Sequence, residues 1–211
     1  MLSVERLEEL RRHFIMWREL QQNSGINVPK EFHFTEMKRQ QLDIYKELIK
    51  EAVSVMDMMG FKAVVVEFRG SSRPIDEAVY AMYYQHVHHG IVHEVGSGRI
   101  TLPRRVNFWK DKEDGNDKLF LNELEQHLVG NFRTYFEDNL MLNIFSSVSS
   151  IANIFIQLAD LFTGSISRTL NQSGTSTNHK DDFAQFVVEL LGLNLHDYRN
   201  QEHDAAIVHF I

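Results

Sequence analysis

Blocks of strand periodicity alternate with blocks of helical periodicity along this chain. Short apolar runs rich in β-branched residues are typical of buried strands, and they predict strands at residues 62–68, 100–110, 140–148 and 206–211. Apolar residues at helical spacing predict helices at 3–22 with Ser3 as N-cap, 37–59 ended by Gly60, 75–89, 118–136, 151–170, and a last helix capped by Asp181. Strands that alternate with helices predict one α/β domain over residues 1–211, with at least three strands, mostly parallel.

The predicted helix 151–170 is apolar on almost every side, which is typical of a buried helix. A narrow polar stripe interrupts it at spacings of three or four residues: Asn153, Gln157, Asp160, Gly164 and Ser167. Asp160 is the only acid on this helix, and a buried carboxylate must be hydrogen-bonded, paired with a cation or bound to a metal. The stripe leaves two interpretations open: a structural Asp bonded to neighbouring backbone, or a metal ligand in a cleft.

Composition narrows the classes of protein that need to be considered. The formal net charge of −7 argues against a broad basic surface for non-specific duplex binding, although an acidic metal site would add negative charge of its own. The absence of cysteine excludes disulfides and thiolate sites. The polar stripe argues against a membrane span at 151–170, and the charged amphipathic N-terminus is unlike a signal peptide, so we expect a cytoplasmic protein.

Several blocks together resemble the ribonuclease-H-like family catalogued as domain of unknown function 3800. They are IQLADLFTGSISR at 156–168, KEFHF at 30–34 and the strand ending in Trp109-Lys110-Asp111. The resemblance implies a ribonuclease-H-like sheet flanked by helices, with acidic residues at one end that bind Mg²⁺ or Mn²⁺ for phosphodiester hydrolysis. Carried over by position, it implies Asp160, Glu31 and Asp111 as metal ligands and catalytic residues, with Asp114 as the substitute for Asp111.

The chain departs from this family at its start. The family opens with a strand bearing Asp-Glu-Ser and two further strands, and these N-terminal strands are missing from this chain. We therefore expect a metal-dependent nuclease-like protein acting on RNA or DNA that is weak or inactive alone. The alternative is a non-catalytic interaction or regulatory subunit that keeps a remnant of the fold. An unpaired sheet edge also predicts a homo-oligomer, or a partner chain that supplies strands.

Three other groups of residues could carry chemistry, but a plainer role is expected for each. The histidines His86, His88, His89 and His93 have partial metal-ligand spacing, and Gly90 makes helical continuity between them doubtful. The acidic turn at 111–117 does not match a calcium loop. His33 could assist proton transfer, and Arg104 and Arg105 could contact phosphate or pair with acids.

Overall fold

Six helices and six strands make up the described part of the chain. A computed structural model describes residues 2–4, 6–66, 75–112, 117–171, 177–197, 199, 201–202 and 206–210. In chain order the elements are β1 (Leu2–Val4), α1 (Leu7–Asn23), α2 (Leu42–Ser54), β2 (Met59–Val65), α3 (Ile75–Gly96), β3 (Arg104–Asp111), α4 (Asp117–Phe136), β4 (Leu140–Val148), α5 (Ile154–Asn171), α6 (His179–Leu190), β5 (Gln201–Glu202) and β6 (Ala206–Phe210).

The described strands form two small sheets. The first has the order β1-β2-β6-β5, in which β2 and β6 are parallel and both outer strands run antiparallel to their neighbours. The second consists of β3 and β4, which are parallel and shift register between Val106 and Asn107. The predicted α/β class and the parallel pairing of its main strands are confirmed. A ribonuclease-H-like arrangement stays a prediction, because these strands do not form one sheet.

Each sheet packs against its own hydrophobic core. The larger core lies among α1, α2, α5, α6 and β2, and its fully buried members include Phe32, Phe61, Phe162 and Phe183. The smaller core lies among α3, α4, β3 and β4, where α4 contributes Leu124, Leu128 and Phe132 at helical spacing. A cavity can form where the two cores meet.

The structure corrects several predicted element boundaries. Ser3 lies in β1, paired with Gly60 of β2, so it does not cap α1. Gly60 does not end α2 either, because α2 ends at Ser54 and Gly60 lies within β2. A Cβ at residue 60 would lie 2.8 Å from Glu94 Oε1, so glycine makes room there for a buried charge. Helix α3 continues through Gly90, and Asn178 caps α6 with Asp181 completing the capping box.

Among the residues that the structure describes, no helix is both long enough and apolar enough to cross a membrane.

Candidate functional site

A cavity of about 730 Å³ lies beside β3, where the two cores meet. All eight residues of β3 line it, whereas β4 contributes only Leu142. One face of α3 and one face of α5 complete the lining, with residues at helical spacing: Tyr83, His86, Val87, Gly90, Ile91 and Glu94 from α3, and Phe155, Ile156, Ala159, Asp160 and Thr163 from α5. Its volume is in the range of ordinary ligand sites.

The polar stripe of α5 binds the backbone of a loop, residues 31–34, next to this cavity. Phe32 N–H donates to Gln157 Oε1 at 3.0 Å, and Phe34 N–H donates to Asp160 Oδ2 at 2.8 Å. Alternate residues of an extended chain present their N–H groups about 6.6 Å apart, and residues three apart on a helix rise by about 4.5 Å, so the two spacings can be matched by flexible side chains. The stripe therefore holds residues 31–34 as a neighbouring strand would.

Close packing supports the same contact. Gln157 is buried, and its Nε2 donates to the carbonyl of Ser150 at 2.7 Å. A Cβ at Gly164 would lie 2.4 to 2.8 Å from atoms of the Phe34 side chain, so the ring lies directly on the helix backbone. Gly164 is on the stripe because no larger residue leaves room for Phe34.

The Asp160 carboxylate lies at the boundary between this segment and the cavity. Its side chain is 37% exposed, and its Oδ2 is 3.5 Å from His33 Nδ1. The same His33 nitrogen is 3.0 Å from Thr35 Oγ1. Within the described residues, the second oxygen Oδ1 has no hydrogen bond or ion pair. One oxygen of Asp160 is therefore bonded to backbone, as the structural interpretation expects. The other oxygen has no partner among the described residues and could bind a ligand.

Asp111 is the last residue of β3 and lines the same cavity as Asp160. Its backbone carbonyl accepts a hydrogen bond from Lys110 Nζ at 3.2 Å. Arg104 and Arg105 begin the strand and also line the cavity. The cavity therefore combines two carboxylates with several basic side chains.

Glu31 does not line the cavity. It precedes Phe32 in the loop that α5 holds, and its negative charge acts on the hydroxyl of Tyr45. Burial raises the pKa of Tyr45, and the negative charges of Glu36, Asp160 and Glu31 raise it further. Asp160 and Asp111 thus line the same cavity. Asp160 and Glu31 both act on Tyr45 through their negative charge.

The described residues contain no group of three or more His, Asp or Glu side chains arranged to hold a metal ion. Asp114, the substitute for Asp111, lies outside the described residues. The three predicted ligands therefore remain a prediction, and of the three only Asp111 and Asp160 line the same cavity.

Sequence reasoning missed a buried cluster of charges at the cavity, of which Glu94 belongs to the lining. Lys62 on β2 and Glu94 on α3 are both almost completely buried and form an ion pair. Arg99 Nε donates to both oxygens of Glu94, at 3.1 and 3.0 Å. Burial lowers the pKa of Lys62 to about 8, although Glu94 opposes that shift. The only sequence signal was a lysine at the start of an apolar run, and it did not indicate a partner.

Three of the four histidines of α3, His86, His88 and His89, have local partners within the protein. His86 Nε2 lies 2.7 Å from the Lys62 carbonyl oxygen, and His89 Nε2 lies 2.8 Å from Gln85 Oε1. His88 stacks on Tyr84 with a centroid distance of 5.8 Å. Burial lowers the pKa of His86 to about 3, so it is neutral at ordinary pH. These contacts favour the plainer role for the group.

No protein-family model, curated protein or solved structure matches this chain.

Proposed function

We propose that the chain binds RNA or DNA at the cavity beside β3 and hydrolyses phosphodiester bonds with Mg²⁺ or Mn²⁺. The observation that supports this is that Asp111 and Asp160, which are distant in the sequence, line one cavity with Arg104, Arg105 and Lys110. Basic side chains bind phosphate, and carboxylates bind the hard cations that phosphodiester hydrolysis uses.

The residues present fit such a cation in part. Mg²⁺ is commonly held by one or two carboxylates, with water and substrate phosphate oxygens completing its octahedron. Asp160 Oδ1 and the Asp111 carboxylate can supply that number, whereas Glu31 lies off the cavity lining. A bound cation would activate water and stabilise the leaving oxygen. The role of the chain is then to hold the carboxylates and to bind phosphate with its basic side chains.

Manganese binding tests this proposal. A thermal unfolding experiment should show a Tm that rises with Mn²⁺ concentration in the unaltered protein, because a ligand that binds only the folded state stabilises it. The Asp160→Asn variant should lose this rise and still fold, since the Asn carbonyl can accept the hydrogen bond from Phe34 N–H. Asp43→Asn, at an exposed position on α2, is the matched control and should respond as the unaltered protein does.

Cleavage of end-labelled RNA and single-stranded DNA with Mn²⁺ should follow the same pattern among these variants. An unchanged Tm at millimolar Mn²⁺, or a response that survives in Asp160→Asn, would contradict the proposal.

A second candidate function is a non-catalytic interaction protein. The observation that favours it is the hydrogen bond between Phe34 N–H and Asp160 Oδ2, which gives the acid of α5 a structural role. The absence of any Mn²⁺ response would support this candidate.

A further inference from the structure

The cavity runs along the edge of β3 and not across its face. A cavity over a sheet face would be lined by alternate residues of both strands, because successive side chains point to opposite faces. Here every residue from Arg104 to Asp111 contributes, and β4 adds only Leu142. In the described part of the chain, β4 is the only strand that pairs with β3.

The direction of one hydrogen bond shows which backbone groups face this edge. Lys112 N–H donates to the Val148 carbonyl at 3.0 Å, so the backbone of residue 112 points towards β4. The N–H and C=O of one residue in a strand point to the same side, and those of the next residue point to the opposite side. The register shift adds one residue, Asn143, to β4 and none to β3, so the alternation continues along β3. The N–H and C=O groups of Arg105, Asn107 and Trp109 therefore point away from β4 and towards the cavity.

We propose that an extended peptide segment from a partner protein binds in this cavity as an added strand beside β3. Main-chain hydrogen bonds to Arg105, Asn107 and Trp109 would hold it, as in other strand-addition complexes. At about 3.3 Å per residue, the eight residues of β3 offer an edge of about 26 Å. This inference goes beyond the proposed hydrolysis and does not depend on it.

The residues that line the cavity indicate which side chains the peptide should carry. The helix walls present apolar side chains, among them Val87 and Ile91 of α3 and Phe155 of α5, so alternate positions of the peptide should be apolar and β-branched. Arg105 is exposed and has no ion pair within the described residues. We therefore expect an acidic residue at the peptide position opposite Arg105, because opposite charges on paired strands attract.

A single extended segment fits this cavity better than a second folded copy of the chain. A two-fold contact through β3 would bring the α3 and α5 of one copy against the same helices of the other, because both helices line the edge. A free strand has no such helices attached. The expected partner chain at an exposed sheet edge is thereby assigned to β3, the outer strand that lines the cavity along its whole length.

Selection of random linear peptides displayed on phage tests the proposal, followed by affinity measurement for the enriched peptides. The unaltered protein should enrich sequences that alternate β-branched residues with polar ones and carry an acid. The Arg105→Glu variant should enrich a base in place of that acid. Enrichment of no peptide, or of peptides without this alternation, would overturn the proposal.

A matched pair of variants isolates the backbone contribution. Asn107→Ala removes the side chain and keeps the N–H, whereas Asn107→Pro also removes a donor that faces the cavity and not β4. Enriched peptides should bind Asn107→Pro at least about fivefold more weakly than Asn107→Ala. Equal affinities would overturn the proposal.

Hydrogen exchange on the unaltered protein gives a second measurement if Asn107→Pro fails to fold. Bound peptide should slow exchange at the amides of Arg105, Asn107 and Trp109, and unchanged exchange there would also overturn the proposal. Peptide selection and hydrogen exchange are measured without metal, and the response to Mn²⁺ is measured without peptide. Failure of the metal proposal is therefore distinguishable from failure of this one.

Discussion

Two segments of the chain, the loop residues 31–34 and the strand β3, differ in the partners of their backbone groups. In residues 31–34 the N–H groups of Phe32 and Phe34 donate to side chains of α5. In β3 the alternate backbone groups of Arg105, Asn107 and Trp109 point into the cavity. A helix with a polar stripe can thus supply hydrogen-bond acceptors to a segment of backbone that is not paired with a strand. The hydrogen bonds between residues 31–34 and α5 stabilise the fold, whereas the edge of β3 that faces the cavity is available for binding.

The largest difference should appear when a phenylalanine is removed from each segment. Phe32 is fully buried, and Phe32→Ala should lower the free energy of unfolding by about 3–5 kcal/mol because it leaves a cavity. Phe108 is only partly buried, stacked on Phe145 at 5.2 Å, and Phe108→Ala should cost about 1–2 kcal/mol. Urea denaturation measures both, and equal losses would contradict the distinction between the segments.

A smaller loss should follow when the stripe loses an acceptor. Gln157→Leu keeps a similar volume and leaves Phe32 N–H and the Ser150 carbonyl without their partner, which should cost about 2–3 kcal/mol. Gln185→Leu changes an exposed glutamine on α6 and should alter the free energy of unfolding by less than about 0.5 kcal/mol. If Gln157→Leu matches this control, the stripe does not hold the segment in solution.

The smallest of the three effects is a dependence of the free energy of unfolding on pH. It arises from His86 of α3, which lines the cavity. Burial holds the pKa of His86 at about 3, below its ordinary value of 6.5, so the unfolded state binds more protons between those two values. Stability is therefore lost as the pH falls below 6.5, by about 2 kcal/mol at pH 5.

Chemical denaturation at a series of pH values measures this dependence, and His86→Gln should flatten it between pH 6.5 and 5. The carboxyl groups of Glu94 and Asp181 act in a lower window. Their pKa values are held below 4.5 and 3.8 by neighbouring cations, so their contributions are lost only as the pH falls below those values. A slope unchanged in His86→Gln would show that another group carries the titration.

The sequence predicts elements best where one periodicity continues between clear boundaries. β4 spans the predicted residues because an apolar, β-branched run lies between the end of α4 and Ser149. α5 is predicted for a similar reason, and its stripe correctly indicates that Gln157 and Asp160 need partners. The partner of Gln157 lies 125 residues away, at Phe32, and no local pattern specifies it.

The burial of charged residues and the pairing of strands into sheets are harder to predict from the sequence. Lys62 looks like the polar start of a strand, yet Glu94 and Arg99 make its burial possible. Likewise, the strand patterns of β2 and β3 do not reveal that the two strands belong to different sheets, because strand pairing is decided by packing between distant parts of the chain. Asp111 and Asp160 line one cavity. Their own surroundings in the sequence carry no common signal, and the expectation that they act together depends on the family resemblance.

The contact between Phe34 and Gly164 also restricts how this chain can vary among related sequences. Because a methyl group at residue 164 would overlap the ring, the two positions are free to change only together, with a smaller side chain at 34 accompanying a larger one at 164. Related chains that carry such a paired substitution are expected to keep the same contact between residues 31–34 and α5.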